Sequence, residues 1–321
     1  MFVTLGTTHG PVAVPMAEGR FHWSTDNVTW SGTTTSVEPR RLTRAGDDVV
    51  VFDGGAVRYA WDGAGWVEAA RLDVQDAYRM AFGPRGAVAA EGSGTGVTYS
   101  FAPDSEHFTK ARSGPSKGPL TGTDSRCRSL GSGPWDTPGP LLATSTGFVA
   151  LTASNPEKWN ELSTCSPVVW TSPEGDVWTL VSPESPFGAG STVGYVAERD
   201  GRFVATGTSA PRSSNPNPVA AVWTSRDGMT WQPSDLDVGS AQGLTVSSGA
   251  LGWVVTGATV GTQALTDLMW TSPDGVVWDG PHPLPTGFGT GWLPLHLAIG
   301  TDSIFGIGGR SQIPVVARIV D

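Results

Sequence analysis

Short apolar runs separated by polar turns recur along the whole chain, and no long helical periodicity interrupts them. Near-continuous apolar runs of about five residues are typical of strands buried on both faces. The pattern therefore predicts an all-β protein. The clearest runs are Gly147–Leu151, Arg202–Gly207 and Gly252–Gly257, and looser versions are Asp48–Phe52 and Ser303–Gly308.

A tryptophan-bounded phrase follows several of these runs. Its strong copies are Trp170–Trp178, Trp223–Trp231 and Trp270–Trp278, and its weaker copies are Ser24–Trp30, Ala60–Trp66 and Ala102–Phe108. A phrase repeated several times along a chain is typical of radial arrays of small sheets, in which each unit buries its faces against its neighbours. We therefore predict a single β-propeller domain over residues 1–321, with the phrase joining the third and fourth strands of each unit.

The Asp-Gly pairs inside the phrase predict tight hairpins. A two-residue turn at Asp227-Gly228 needs positive φ at both positions and would place Thr224 opposite Trp231. Trp223 and Trp231 would then project from opposite faces of one sheet, because strand side chains alternate. Stacking between two blades would bury both indoles, so we expect a structural role for these corners.

These hairpins resemble the Asp-box (BNR) repeat of sialidase-like and related β-propellers. The match is partial, because Asp227-Gly228 and Asp274-Gly275 are adjacent where the repeat has one residue between them, and Glu174 replaces Asp in one copy. The resemblance implies a fold with the repeats on outer hairpins, away from the central site. Such propellers include enzymes and non-enzymes, among them surface proteins and phage tail components.

Seven four-stranded units are predicted, with six units and an irregular closure as the alternative. Met1–Thr7 is expected to supply an edge strand that closes the ring and removes an exposed sheet edge. A Gly/Ser/Pro-rich insertion lies at 113–140. The units are 8–33, 34–74, 75–113, 140–184, 190–236, 243–284 and 292–321.

Alternating connections should place all the phrases on one face of the ring and the irregular segments on the other. Loops on a rigid scaffold carry function more often than the strands that they connect. We therefore expect recognition on the irregular face. Its segments are Ser113–Pro140, Ala153–Ser166, Thr208–Pro218, Ala258–Thr266 and Pro281–Gly291.

Charge and hydropathy exclude some partners. The formal net charge is −10 and the pI is about 4.9, which disfavours nucleic-acid binding. There is no run of 18 apolar residues, so membrane insertion is not expected. No secretory signal is evident, since the first basic residue is Arg20. The compartment stays open, with an extracellular surface or a virion favoured.

Cys127 and Cys165 fit a disulfide and two free thiols equally well.

A sialidase needs an arginine cluster, a Tyr–Glu pair and an acidic donor. There is no Arg-Ile-Pro segment after the N-terminus, and no spacing selects a carboxylate pair for other glycosidases. Tyr78 and Tyr195 are the more central tyrosines, with Glu198 close in sequence. The further candidates are Arg40, Arg41, Arg44, Arg79, Arg199, Tyr59, Tyr99, Asp76, Glu91, Glu157, Glu161 and Asp267.

No cofactor or metal site is predicted. The sequence has no HExxH motif and no Cys/His cluster. His296 is the histidine expected to face the channel. The others are His9, His22, His107 and His282.

The irregular face is richer in residues suited to recognition. Aromatic rings stack on sugars, and Trp and Arg are enriched among interface hot spots, although each Trp could equally plug its own loop. The predicted ligand-binding residues are Trp135, Trp159, Trp292, Arg128, Arg212 and His282. We therefore predict a non-catalytic recognition or scaffold propeller that binds a glycan or protein partner, including as part of a cell surface or phage tail. The alternatives are a glycoside hydrolase or lyase with its site at the channel mouth, and a purely structural virion part.

Overall fold

The protein is described by a computed structural model that covers most of the chain. The described residues are 2–15, 19–25, 29–37, 41–52, 55–93, 96–115, 139–151, 167–182, 184–188, 191–209, 219–234, 236, 241–260, 265–284, 297–299 and 304–306. Over these residues every regular element is a β-strand, and no helix has the length and apolar character needed to cross a membrane. The all-β prediction is confirmed.

The strands form antiparallel sheets, each built from consecutive strands of the chain. Six sheets have four strands, and the prediction of a β-propeller is confirmed. The first three blades are β1 Phe2–Thr7, β2 Gly10–Pro15, β3 Arg20–Trp23, β4 Ser31–Thr34; β5 Arg41–Ala45, β6 Asp48–Phe52, β7 Ala56–Trp61, β8 Trp66–Leu72; and β9 Ala77–Gly83, β10 Gly86–Ser93, β11 Gly96–Ala102, β12 Thr109–Lys110.

The remaining strands complete three more blades and a smaller sheet. They are β13 Leu141–Thr144, β14 Gly147–Leu151, β15 Val169–Ser172, β16 Thr179–Leu180; β17 Thr192–Arg199, β18 Arg202–Ser209, β19 Val219–Ser225, β20 Gln232–Pro233; β21 Ala241–Gly249, β22 Gly252–Val260, β23 Leu265–Ser272, β24 Asp279–Pro283; and β25 Leu297–Ile299, β26 Ile304–Gly306.

The two-stranded sheet β25–β26 lies between the sixth blade and the first. Its strand β25 contacts β21 on one side and β1 on the other. Seven four-stranded blades were the main expectation. The described residues show six, the alternative count, with two strands at the position where a seventh blade would stand.

The N-terminal strand completes the first blade. It is the innermost strand of the first blade and pairs with β2 from Phe2↔Pro15 to Thr7↔Gly10. As predicted, this segment is an edge strand of its sheet, and it also contacts β25 of the last sheet, so that the first unit runs from residue 2 to residue 34. A short turn at 8–9 lets β1 pair with the strand that follows it.

The hydrophobic core is divided among the boundaries between neighbouring blades. Between the fourth and fifth blades, Val149 and Leu151 pack against Phe203 and Trp223. Comparable clusters fill the four other boundaries from the first blade to the sixth. Because each face of a blade is covered by its neighbour, the near-continuous apolar runs of the sequence are explained.

The hairpin between the third and fourth strands is a corner loop, and its geometry corrects the predicted two-residue turn. Thr224 pairs with Gln232, so residues 225–231 form the loop. The Ser225 hydroxyl accepts the Gly228 amide at 2.8 Å, and Asp227 Oδ1 accepts the Thr230 amide at 2.7 Å. These side chains satisfy the loop amides and so make the longer loop stable.

The two tryptophans of this hairpin lie on the same side of the blade. The Trp231 indole folds back and donates to the Gly228 carbonyl at 2.8 Å. Trp223 and Trp231 both contact Phe187, with ring centroids 5.4 and 5.2 Å away. The expectation of opposite faces was wrong, because Trp231 belongs to the loop and does not follow strand alternation.

The corner geometry repeats around the ring. In four corner loops an Asp Oδ1 accepts the amides two and three residues further on, at 2.7–2.9 Å: Asp62, Asp104, Asp227 and Asp274. In each described corner loop the closing aromatic packs at the boundary with the preceding blade: Trp66, Phe108, Trp178, Trp231 and Trp278. The weaker copies Ala60–Trp66 and Ala102–Phe108 thus share this arrangement with Trp223–Trp231 and Trp270–Trp278, whereas part of Ser24–Trp30 lies outside the described residues.

Candidate functional site

The up-and-down order of the strands gives the ring two distinct faces. The turn face carries the hairpins between the first and second strands and the corner loops. The loop face carries the loops between the second and third strands and the crossovers between blades. The longest parts of the predicted irregular segments lie outside the described residues, so their place on the loop face stays a prediction.

Most of the predicted ligand-binding residues also lie outside the described residues. They are Trp135, Trp159, Trp292, Arg128 and Arg212, and the same holds for Cys127, Cys165, Arg40 and His296. His282 is described. It lies on β24, the outermost strand of the sixth blade, where it pairs with Met269 and is exposed. Its Nε2 is 2.8 Å from Asp279 Oδ2, and its role in binding stays a prediction.

A different group of charged and aromatic side chains, from three blades, lies near the axis of the ring. They belong to innermost strands, which surround the central channel of a propeller. Arg41 begins β5, Tyr78 and Arg79 lie near the start of β9, and Tyr195 lies in the first half of β17. Each of these strands starts on the loop face, so the four side chains share the loop-face half of the channel. We call them the channel cluster.

Backbone bulges shape this half of the channel. In β9 Ala77 pairs with Glu91 and Arg79 with Ala90, so Tyr78 is the extra residue. In β17 the register shifts between Val193 and Tyr195. A third shift occurs in β21, between residues 242 and 245. Bulges re-aim side chains and are common beside binding sites.

The bulge in β17 depends on a glycine in the neighbouring strand. A Cβ at Gly207 would lie far inside van der Waals contact with the Thr192 carbonyl oxygen. Thr192 and Thr208 also share a hydroxyl hydrogen bond of 2.8 Å. The close approach of β17 and β18 just before Tyr195 therefore requires glycine at this position.

The channel cluster contains two neighbouring guanidinium groups. Arg41 lies over the ring of Tyr78, with Cζ 4.5 Å from the ring centroid. Arg79 interacts electrostatically with Arg41 of the second blade and with Tyr195 of the fifth. Burial lowers the pKa of Arg79 below its ordinary value, and the charge of Arg41 lowers that pKa further. Arg79 nevertheless remains protonated at neutral pH.

A second charged group lies at the turn-face end of the channel. Arg44 interacts with Glu198, although their blades, the second and the fifth, are not neighbours. The Arg44 side chain keeps contact with solvent, yet burial lowers its pKa and Glu198 opposes that effect. The Glu198 carboxylate also accepts the Gly201 amide at 2.8 Å. Positive charge is therefore balanced at this end of the channel.

The geometry bears directly on hydrolase chemistry. Tyr195 and Glu198 are three residues apart on the regular part of β17, so they project to opposite sides of the strand. Tyr195 packs towards the boundary between the fifth and sixth blades. The nucleophile pair considered from the sequence is thus not formed by these two residues.

Three other candidate residues, Arg199, Tyr59 and Tyr99, pack between blades, whereas Glu157 and Glu161 lie outside the described residues. The Arg199 guanidinium lies 5.4 Å from the Trp253 ring centroid and donates to the Ala250 carbonyl at 2.8 Å, which links the fifth and sixth blades. Tyr59 and Tyr99 are buried, and burial raises the pKa of Tyr59 to about 12. Both tyrosines belong to clusters between blades.

The described histidines lie away from the channel cluster. His9 stacks on Trp61 with ring centroids 4.8 Å apart, and His107 Nδ1 is 2.6 Å from Asp104 Oδ2. In the described part of the chain, no three His, Cys, Asp or Glu side chains are grouped so that they could hold a metal ion.

The sequence offers each member of the channel cluster as a separate candidate for chemistry, but it does not select the four as a group for ligand binding. The useful signals were the Tyr78-Arg79 pair at the start of an apolar run and the glycines at 194 and 207. Their meaning depends on register, which only the paired strands reveal.

This architecture defines the protein as a β-propeller. No protein-family model matches the chain, and no curated protein matches it. The Asp-box resemblance therefore stays a prediction beyond the fold itself.

Solved structures share the fold. A streptogramin B lyase structure is similar at 8% identity and a TM-score of 0.58, over 95% of this chain and 89% of that one. A chain of a mitotic checkpoint complex gives 10% identity and a TM-score of 0.51, over 95% of this chain and 83% of that one. A tricorn protease chain gives 8% identity and a TM-score of 0.50, over 95% of this chain and 32% of that one. Likeness at these identities shows the fold alone.

Proposed function

We propose that this propeller is a recognition module that binds a glycan or protein partner at the loop-face mouth of its channel. One observation carries the proposal: innermost strands of three blades, two of them bulged, gather Arg41, Tyr78, Arg79 and Tyr195 on the loop-face side. Aromatic and guanidinium groups of this kind dominate binding energy at protein interfaces. Residence on a cell surface or in a virion remains a prediction.

The rest of the described surface supports a scaffold role for the turn face. Its corner loops use their Ser, Asp and Trp side chains for internal hydrogen bonds and for packing between blades. These side chains therefore have their partners inside the protein and stabilise the ring. Ligand contacts are expected at the opposite mouth.

Binding to a glycan array and a peptide array tests the proposal. Tyr195→Phe keeps the ring that packs between blades and removes the hydroxyl, whereas Tyr78→Ala removes a channel aromatic. We expect each change to weaken binding of the selected ligands by about tenfold, equivalent to about 1.4 kcal/mol. The matched control is Val277→Ser, at a corner-loop side chain that is 69% exposed.

Two outcomes would contradict the proposal. One is that neither array yields a ligand. The other is that Val277→Ser abolishes binding while both tyrosine variants retain it, which would move recognition to the turn face.

The hydrolase or lyase alternative predicts turnover. It would need a nucleophile and an acid other than the Tyr195 and Glu198 combination, which lies on two sides of one strand. Fluorogenic glycosides, including a sialoside, test this alternative. Turnover by the wild type that is lost in Tyr195→Phe would replace binding with catalysis at the same place.

A further inference from the structure

The hairpin between β7 and β8 differs from the other corner loops of the turn face. Trp61 pairs with Trp66, and a tight turn closes the hairpin, with the Asp62 amide donating to the Gly65 carbonyl at 3.0 Å. Trp61 lies immediately before the corner carboxylate. In the other described corner loops an exposed proline or arginine holds that place: Pro103, Pro173, Arg226 and Pro273. The corner geometry therefore does not require an aromatic residue there.

Two neighbouring rings hold the Trp61 indole in a fixed orientation. The His9 imidazole lies parallel to it, with ring centroids 4.8 Å apart and an interplanar angle of 8°. The buried Trp66 ring contacts it edge-on, at 5.8 Å and 73°. Trp61 and His9 both remain partly exposed. The His9–Trp61 stack is thus a rigid aromatic surface on the turn face, at the boundary between the first and second blades.

The loops that carry the two rings are also held by hydrogen bonds. The Thr7 hydroxyl accepts the His9 amide at 3.1 Å and donates to the Gly10 carbonyl at 2.6 Å. In the facing hairpin, Asp62 Oδ1 accepts the amides two and three residues further on, at 2.9 and 2.8 Å. Because both loops are fixed before any partner arrives, binding at the stack would cost little conformational entropy.

The charges beside the stack are negative. The described turn-face loops of the first two blades carry the exposed carboxylates Asp47 and Asp62 and contain no lysine or arginine. These loops are 8–9, 24–25, 29–30, 46–47 and 62–65. The whole chain has a net charge of the same sign, −10, which attracts positively charged partners. Charge complementarity therefore favours a cationic group over a neutral or acidic one.

We propose that the His9–Trp61 stack and the neighbouring Asp62 form a second recognition site, which binds an arginine side chain in a basic segment of a partner protein. A guanidinium stacks on an indole ring and presents paired N–H donors to a carboxylate. The protein makes the same kind of contact internally, because the Arg199 guanidinium lies 5.4 Å from the Trp253 ring centroid. This site lies on the turn face and goes beyond the recognition proposed for the loop-face mouth.

Fluorine NMR of protein labelled with fluorotryptophan tests the contact at Trp61 itself. The Trp61 resonance is the one missing from Trp61→Phe. The probe is an acetylated and amidated Gly-Arg-Gly-Arg-Gly peptide, and the control is the same peptide with citrulline, which keeps the planar group and lacks the charge. We expect the arginine peptide to shift this resonance and to bind at least tenfold more tightly than the citrulline peptide. Equal binding of the two peptides would overturn the proposal.

Salt gives a second measure of the charge. Screening should lower the affinity of the arginine peptide at least threefold when sodium chloride is raised from about 50 to about 300 mM. An affinity that does not change with salt would contradict a contact with the carboxylate.

Two matched substitutions test Asp62. Asp62→Asn keeps an oxygen for the two loop amides and removes the charge, and Asp274→Asn makes the same change in the sixth blade, where Pro273 precedes the acid. We expect at least threefold weaker binding of the arginine peptide in Asp62→Asn and unchanged binding in Asp274→Asn. Equal effects of the two changes would overturn the assignment of Asp62.

Trp61→Thr removes the aromatic ring and should weaken binding of the arginine peptide at least tenfold. Thermal unfolding reports whether this variant is folded, and Asp62→Asn tests the site with the stack intact. A Trp61 resonance that is shifted by maltotriose and not by the arginine peptide would replace the arginine with a sugar ring. Loss of peptide binding in Tyr78→Ala but not in Trp61→Thr would move the peptide to the loop-face mouth. Either result would overturn the proposal.

Discussion

At the scale of single residues, the indole of Trp231 combines two roles. It fills the boundary between the fourth and fifth blades, and its N–H bonds to the Gly228 carbonyl inside the same loop. The side chain is only 4% exposed. Because both the ring and the N–H are satisfied inside the protein, nothing of Trp231 is available to a ligand.

Trp231→Ala should therefore destabilise the fold by about 3–5 kcal/mol, the range for deletion of a large buried aromatic side chain. Denaturant unfolding measures this loss, and Trp231→Phe, which keeps most of the ring volume, should lose less. Ligand affinity of the folded fraction should not change. Lost binding at an unchanged unfolding midpoint would contradict the scaffold role.

At the scale of elements, the pairing of β17 with β18 determines where Tyr195 points. The register shift before Tyr195 brings the Thr192 carbonyl so close to β18 that only glycine fits at 207. Gly194, the extra residue of the bulge, has more room, since the nearest atom to a Cβ there would be the Thr206 carbonyl oxygen at 3.9 Å.

These two glycines give a matched pair of substitutions. Gly207→Ala should force β17 away from β18, lower the free energy of unfolding by about 1–3 kcal/mol as an overpacked site does, and weaken binding at the channel. Gly194→Ala should change both quantities little. Isothermal titration with the best array ligand and denaturant unfolding provide the comparison. Equal effects of the two changes would show that the bulge does not position Tyr195.

Much of the element structure could be predicted from the sequence. The run Arg202–Gly207 lies within β18, and Gly252–Gly257 lies within β22. These strands can be predicted because a strand buried on both faces is apolar at nearly every position, which is visible in the local sequence. The side on which Trp231 packs could not be predicted, since it depends on hydrogen bonds inside the corner loop. The channel cluster could not be predicted either, because strand register and ring closure bring together residues as distant in sequence as Arg41 and Tyr195.

At the scale of the whole molecule, the corner loops act together through their carboxylates. Backbone amides lower the pKa of Asp62, Asp104 and Asp274, and the Arg112 side chain lowers that of Asp176. Burial opposes ionisation of Asp227, but the amides of Thr230 and Met229 outweigh it, and the pKa is lowered. Acids with depressed pKa values stabilise the folded state while they are ionised.

Stability should therefore fall as the pH drops below about 3.9, the pKa of an unfolded Asp, and through the lower values of the folded state. Above that pH the contribution is fully present. Burial raises the pKa of Asp48 and Asp267, which act in the opposite sense. The unfolding free energy at pH 7 and at pH 3 measures the balance. Asp227→Asn should lower stability at pH 7 and reduce the loss on acidification; an unchanged acid loss would contradict this account.

The backward packing of the corner loops also has a consequence for biosynthesis. Gly175 fits against Val88 of the third blade, Gly228 against Val149 of the fourth, and Gly275 against Val204 of the fifth. On the ribosome, the packing face of each blade therefore stays exposed to water until the next blade has been translated. We expect the blades to fold in the order of translation, so that each blade is completed only after the next one has left the ribosome.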